Sequence, residues 1–496
     1  MHVVWFKRDL RVSDHAPLVQ AAKAGPCLGL YVYEPELIGS PEFDASHLDF
    51  INQSLRQLAD TLRRFGGQLA LRVGSVVEVL DRLHHEHGIT ALYAHEETGN
   101  GITFDRDRAV IRWARQNQIP FHEQVQNGVV RRLRDRDGWA ARRAQVMATA
   151  LLPVPDKIIA PAGVEAGRIH TAEDLGLPPT RKTKLQVGGE QEALRTLREF
   201  LQERGEPYVH GMSSPVTAWS ACSRLSPYLA WGNVSMKRVE QQVAARQREL
   251  RHRKRRRVGV QGWLSSLNAY RSRLSWHCHF MQKLEDEPRI EFENMNRAYD
   301  GLREDEFNPS HFEAWCQGQT GYPLVDACMR ALHQHSWINF RMRAMLVSFA
   351  SYHLWLHWRP TAVYLAQHFL DFEPGIHFSQ FQMQSGTTGI NALRIYSPIK
   401  QVADQDPEGL FIRSQIPQLA NVPVEFIAEP HKMPISTQSL VGCVIGKDYP
   451  APIVDHAAAY GAARLRMGVA RRKADARAES RRVVQRHGSR RRSARR

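Results

Sequence analysis

The sequence predicts an α/β N-terminal domain built on a doubly wound parallel sheet, followed by a large all-α domain. Three observations carry this. Residues 1–127 alternate short apolar runs with amphipathic segments of helical period, the pattern of repeated βα units. Residues 128–190 lose that periodicity and collect prolines at 153, 155, 161, 178 and 179, as an interdomain connector would. From 191 to 460 the apolar period is mostly helical, and a basic tail, 461–496, follows.

The elements follow in order. HVVWF (2–6) reads as a buried strand, and DHAPLVQAAKAG as a helix with Asp14 near its start and Gly25 at its end. CLGLYVY (27–33) is a second strand, and SHLDFINQSLRQLADTLRRFGG (46–67) a long amphipathic helix. Strand 69–74, helix 76–88, strand 89–95, helix 104–118 and strand 119–124 complete the alternation. Parallel sheets of this kind bind ligands outside the carboxyl ends of their strands. No G-x-G-x-x-G follows the first strand, so the usual dinucleotide fingerprint is missing. The second domain opens with helix 190–205, and later shows helical periods over 322–335 and 341–358. Pro360 then sits where the first turn of a new helix accepts it.

Bulk properties exclude several classes. No apolar run reaches the ~18–20 residues of a membrane span. Lys7, Arg8 and Asp9 exclude a signal peptide at the start. Six scattered cysteines form no C-x-x-C pair, so no zinc or disulfide framework and no metal site is expected, and the chain reads as a cytoplasmic protein. The net charge of +16 is concentrated: fourteen Lys/Arg oppose Asp475 and Glu479 between Arg464 and Arg496, leaving the body near +4. That tail, 461–496, has few aromatics and is expected to be disordered. Together with RHRKRRR (251–257) it is a candidate for contacts with nucleic-acid phosphates.

Four segments stand out for chemistry. In CSRLSPYLAWGNVS (222–235), Ser223 and Ser226 flank Arg224 and Leu225 just before Pro227. Such residues either cap a helix or present its N-terminus to a phosphate. In SRLSWHCHF (272–280), Trp276, His277 and His279 fall close together, but residues two apart share no helical face. Core or pocket aromatics are the better reading there. In WCQGQTGYPLVDACMRALHQHSWINFRMRAML (315–346), Arg341 and Arg343 follow Trp337 in an apolar setting. A buried arginine needs an anion, and Asp371 and Glu373 are candidates. They begin the fourth segment, DFEPGIHFSQFQMQSGTTG (371–389), which runs on to RIYSPIKQ (394–401).

VVWFKRDLRVSDHAPL, CSRLSPYLAWGNVS, TGYPLVDACMRAL and RIYSPIKQ resemble, in this order over roughly 1–450, the photolyase/cryptochrome family. The resemblance implies that the α/β domain is of the antenna-carrying type, with a chromophore whose identity the sequence leaves open. Glu96, Glu97 and Asn100 are polar candidates at its strand ends. It implies that the helical domain binds FAD. It further implies blue-light-driven splitting of cyclobutane pyrimidine dimers in DNA, with electron transfer from reduced flavin to a flipped-out lesion. Ser223, Arg224, Leu225 and Ser226 resemble the family's flavin phosphate segment, and Tyr208 an upstream contact. Arg343 and Asp371 resemble the pair beside the isoalloxazine; Glu373 and His377 join the expected flavin set, His377 at the place facing N5. Trp276 resembles a lesion-pocket tryptophan, Met383 stands where an aromatic stacks on the dimer, and Trp358 resembles the middle member of the electron-transfer chain.

The sequence also departs from the family pattern. Phe381 and Asp305 stand at the inner and outer tryptophan positions of that chain. Arg273 replaces a glutamate and Phe340 an asparagine of the lesion pocket. The alternative reading is therefore a cryptochrome-like photoreceptor signalling through a partner, with the basic tail as effector. The expected partner is dimer-containing DNA, the expected state a monomer, and no membrane is involved.

Overall fold

The computed structural model describes residues 1–255 and 261–489. Strands β1 (His2–Phe6), β2 (Cys27–Tyr33), β3 (Leu69–Val73), β4 (Ala91–His95) and β5 (Phe121–Gln124) form one parallel sheet in the order β3-β2-β1-β4-β5. His2 stands opposite Cys27 on one side and Ala91 on the other. β1 is therefore the topological switch point, and a crevice opens beyond its carboxyl end. Helices α1 (Ala16–Ala24), α2 (Ala45–Arg64), α3 (Val76–His87) and α4 (Gly101–Gln116) make the crossovers.

The loop after β1 is pinned by buried polar groups. The cap of α1 is His15, not Asp14: its Nδ1 accepts from the Leu18 N–H at 3.1 Å. Its Nε2 donates to Asp9 Oδ2 at 2.9 Å, and His95 Nδ1 donates to the same oxygen at 2.7 Å. These three residues bring ligand-type atoms within 4.8 Å of one another. Both ring nitrogens of His15 are already bonded, so the cluster reads as a hydrogen-bonded pin between β1, α1 and β4.

The connector wraps back onto the sheet domain. It contains one helix that sequence periodicity did not single out, α5 (Trp139–Ala148), whose Trp139 indole donates to Gln282. Its later part lies along the sheet edge, with the N–H groups of Cys27 and Leu71 bonded to the carbonyls of Ile159 and Ala166.

The second domain is helical. The elements that matter below are α6 (Glu190–Glu199), α7 (Ser226–Ala230), α8 (Gln261–Asp286), α9 (Pro323–His335), α10 (Phe340–Ser348), α11 (Trp358–His368) and α12 (Pro374–Ser385). The TGYP turn is held by buried Asp326, which accepts from the N–H groups of Thr320 and Gly321 and from the hydroxyls of Thr320 and Tyr449. Gly321 has φ +77°, and a Cβ there would lie 2.4 Å from the Ala451 backbone. This motif thus serves the fold rather than chemistry.

Two expectations change. The helical run 341–358 is broken: α10 passes into a π-turn at Phe349–His353, and Trp355 takes φ +52° before α11 begins. The guanidinium groups of Arg303 and Arg466 lie 4.5 and 4.8 Å from the Trp355 ring, holding it between two cations. The tail is also folded as far as it is described, as α13 (His456–Arg472) and α14 (Ala474–His487). Ala463, Met467 and Ala470 on α13, and Ala476, Val483 and His487 on α14, are buried at helical spacing. Residues 490–496, and residues 256 and 257 of the 251–257 run, lie outside the described residues. No described helix is long and apolar enough to cross a membrane.

Candidate functional site

The start of α7, the helix α10 and the loop leading into α12 converge on one ion pair. Arg343 Nη1 and Nη2 donate to the two Asp371 carboxylate oxygens at 2.9 Å each. Its Nε donates to the Ile338 carbonyl at 2.8 Å, and its guanidinium lies 4.1 Å from the Phe369 ring. Burial pushes the Asp371 carboxyl up. The Arg343 charge, with hydrogen bonds from Arg343 and Ser226, outweighs burial and holds it below the ordinary range. Of the two sequence candidates for the arginines' anion, Asp371 is the partner.

The segment before α7 supplies the neighbouring cation. Arg224 adopts φ +60°, uncommon for a side-chain-bearing residue. Its guanidinium lies 3.8 Å from the Trp337 ring and 4.9 Å from Trp219. Burial pulls its pKa down to about 10. Its Nη1 is buried without a hydrogen-bond partner, as are Arg341 Nε and Asn339 Oδ1. Ser223 is fixed from outside the motif: Arg204 donates to its carbonyl at 2.7 Å, and its Oγ accepts weakly from Leu225 N–H at 3.4 Å. Leu225 is fully buried and anchors the turn in the core. A helix-terminus phosphate site is not what forms here, because α7 has only five residues. The positive character comes from side chains instead.

Tyr208 is buried, edge-on to Phe200 and Tyr270 at ring distances of 5.8 and 5.6 Å. Its hydroxyl bonds with Arg273, whose guanidinium lies 4.3 Å from the Trp276 ring. Trp276 is 41% exposed and Phe340 47%, unusual for rings of this size. Met383 is half-buried on α12, which packs on α8: the backbone of Gly375 meets Met281. His277 lies against an interdomain cavity, and His279 is edge-on to Phe280 and Trp139.

His377 has a single role open to it. Its Nε2 lies 2.8 Å from the Ala362 carbonyl, which only accepts, so Nε2 carries the proton. Burial lowers its pKa to about 4. The ring is therefore neutral at pH 7, with Nδ1 as a lone-pair acceptor. Phe381 packs 4.5 Å from it. Trp358 is fully buried, its indole donating to Asn294 Oδ1 at 2.8 Å, while Asp305 is exposed.

Glu373 is the one expected flavin contact placed elsewhere. As the first-turn neighbour of Pro374 it points away from Arg343, into the cavity of about 430 Å³ between the domains that Arg8, Glu97 and His277 also line. Burial raises its pKa to about 7, with Arg8 opposing. A carboxyl whose folded pKa lies above its unfolded one retains a proton that the unfolded chain releases. Stability then falls as pH rises from about 4.5 to about 7 and is level above. Glu373→Gln removes this loss. Relative to the parent, the variant is expected to gain about 2–3 kcal/mol between pH 5 and pH 8 in denaturant titrations; a pH-independent difference would refute the assignment.

Sequence reasoning missed Arg204, Tyr270 and Arg8, which fix the motif residues from distant segments and carry no local signal. A second opening lies beyond the carboxyl ends of β1 and β2. It is a cleft of about 760 Å³ lined by Phe6, Tyr31, Tyr33, Glu97, Trp231 and Phe372, among others. Asn100 also borders this cleft, and Glu96 does not.

Comparison with known proteins places this geometry in context. A family model described as DNA photolyase matches residues 2–154, and one described as the FAD binding domain of DNA photolyase matches residues 270–468. The chain is 27% identical over 485 residues to a deoxyribodipyrimidine photo-lyase of Alkalihalophilus pseudofirmus, covering 92% of this chain and 95% of that one. It is 28% identical to a cryptochrome DASH of Gloeobacter violaceus, covering 91% and 93%. Its fold superposes on a bacterial class III photolyase from Agrobacterium tumefaciens with a TM-score of 0.81 at 26% identity, covering 95% and 98% of the two chains.

Proposed function

The chain belongs to the DNA photolyase/cryptochrome family, and from that premise we propose that it is a blue-light-dependent flavoenzyme that splits cyclobutane pyrimidine dimers in DNA. The observation that carries this reading is the Arg343–Asp371–Ser226 cluster beside Arg224. Buried donors without partners at Arg224 and Arg341 suit a diphosphate-bearing ligand, so the residues fit FAD. When bound and reduced, FAD supplies the light-excited electron that opens the cyclobutane ring and takes it back afterwards. Arg224, with Ser223 and Ser226, would hold the phosphates. The charge-assisted Arg343–Asp371 pair would fix the ring system laterally. His377 would meet it with an acceptor only, so it favours a proton on the atom it faces.

On the substrate side, Trp276 with the Arg273 guanidinium over it offers a stacking surface for the flipped-out dimer. Arg273 can only donate, so it would address base carbonyls where a glutamate would accept. Met383 would pack against the lesion as a polarizable apolar surface. Trp358 would remain an electron-transfer candidate within the protein. The cleft beyond β1 and β2 would house an antenna chromophore with a flat ring system, between Tyr31, Tyr33 and Trp231.

The test uses the flavin-loaded, reduced protein with an oligonucleotide carrying one thymine cyclobutane dimer, under blue light beside a dark control. Loss of the dimer only in the light is the expected result. No loss with flavin bound and fully reduced would overturn the repair reading and favour a photoreceptor.

A further inference from the structure

The helices α13 and α14 sort their charged residues into two groups. One group anchors them. Arg482 and His487 bond Glu287, just past the C-terminal end of α8, and Arg482 also donates to the Met295 carbonyl at 2.9 Å. Arg466 pairs with Glu306 at 2.6 Å, and Arg471 donates to the Asn391 carbonyl at 3.2 Å. The buried stripes around Met467 and Val483 complete the attachment.

The second group points outward. Arg464, Arg472, Lys473, Arg477 and Arg481 are exposed, and none forms an ion pair with a carboxylate among the described residues. The two carboxylates within these helices are engaged locally: Glu479 with Arg482, and Asp475 with the Ala476 N–H. Arg477 and Arg481 are four apart and line one stripe of α14, and Lys473 stands just before its first turn. Arg464 and Arg472, eight apart, line a stripe of α13. Eight helical residues rise about 12 Å, and a DNA strand carries one phosphate per ~3.4 Å of axis, so the α13 stripe spans roughly three phosphates.

We propose that this outward face is a contact surface for the sugar–phosphate backbone of duplex DNA, additional to the lesion site. The proposal rests on the reading of the chain as acting on DNA. It commits to DNA rather than to a lipid surface because Met467, Ala470 and Val483 pack inward, and the apolar side chains left exposed, Leu465, Val469 and Val484, are single residues among the cations rather than a continuous face. A membrane-surface helix instead turns a broad apolar face outward. Sequence-independent phosphate contacts of this type supply affinity and register without base recognition.

The experiment measures binding of the full chain to an undamaged duplex over a salt series. The variant is R464Q/R472Q/K473Q/R477Q/R481Q; every substitution is outward-facing and keeps helix propensity. Each phosphate contact adds about 0.9 to the slope of log K against log salt, so the slope is expected to fall by about 3–4 and the affinity near 100 mM salt by about 1,000-fold. A second variant, R464K/R472K/R477K/R481K, keeps the charges and should keep the slope. Unchanged slopes in the Gln variant would overturn the proposal. So would selective loss of binding to phosphatidylglycerol vesicles with DNA binding intact, which would assign the face to a membrane. A protein that keeps this slope difference but splits no dimer would sink the repair reading and leave the surface standing.

Discussion

Arg343→Ala is expected to cost about 3–5 kcal/mol of stability and to weaken flavin retention by about 100-fold. The side chain that remains, Asp371, is 9% exposed and accepts two of its hydrogen bonds from the lost guanidinium. Removing one partner of a buried pair leaves an uncompensated charge, which is far more costly than the net worth of the pair. The pH dependence gives the assignment a signature. In the parent protein the Asp371 carboxyl is held below its ordinary value, so its stabilisation is present above the unfolded pKa near 4 and is lost as pH falls through the folded one. In the variant burial, the largest single influence, is opposed mainly by hydrogen bonds such as that from Ser226 and raises the carboxyl, so stability declines as pH rises from about 4. The gap between the two proteins should therefore be widest at neutral pH and narrow toward pH 4. Arg343→Lys is the informative companion. It keeps the charge but not the two-pronged geometry, and should recover part of the stability and little of the flavin retention. A gap that is flat with pH would mean that Asp371 is not the group left unpaired.

How far the sequence carried can be read from these same residues. The sheet was legible because β1, β2 and β4 are apolar on both faces and the helices keep a clear period; the strand order, and with it the switch point at β1, came only with the structure. A buried arginine demands an anion, which made Asp371 and Glu373 both candidates; it was the family resemblance that paired Asp371 with Arg343. Glu373 was not separable from it, because which way a loop carboxylate turns depends on Arg8, more than 360 positions earlier in the chain. The tail misled for a similar reason. Its composition is that of a solvated segment, and the residue that holds α14, Glu287, lies about 200 positions upstream. The break after α10 was hidden because the apolar period continues through Trp355. The π-turn at Phe349–His353 and the positive φ of Trp355 show that the chain has left the helix, and the Arg303 and Arg466 guanidinium groups pack on the displaced ring.

Arg8 carries the consequence of that long-range placement into a second large effect. Its Nε donates to the Ala230 carbonyl at 3.0 Å, and its Nη2 to the Phe372 carbonyl. Its guanidinium lies 4.4 Å from the Trp231 ring, whose indole donates to the Leu370 carbonyl at 2.8 Å. Ala230 ends the helix that Ser226 begins, and Phe372 follows Asp371 directly. A residue of the α/β domain thus ties together the two segments whose facing residues make the Ser226–Asp371 contact. Hydrogen bonds from a charged donor are worth about 1.5–3 kcal/mol each, and a desolvated cation–π contact about 2. Arg8→Ala is therefore expected to cost about 3–5 kcal/mol and to weaken flavin retention about 10-fold, although Arg8 is a positioning residue that touches no expected flavin contact except Glu373. Glu373, deprived of the Arg8 charge that opposes burial, should hold its proton to higher pH, extending the loss of stability beyond pH 7. Arg8→Lys places one compact charge where a planar fork spans two carbonyls, so it should restore the pH profile more than the flavin affinity. Parent-like flavin retention in Arg8→Ala would show that α7 and the start of α12 hold their geometry without the α/β domain.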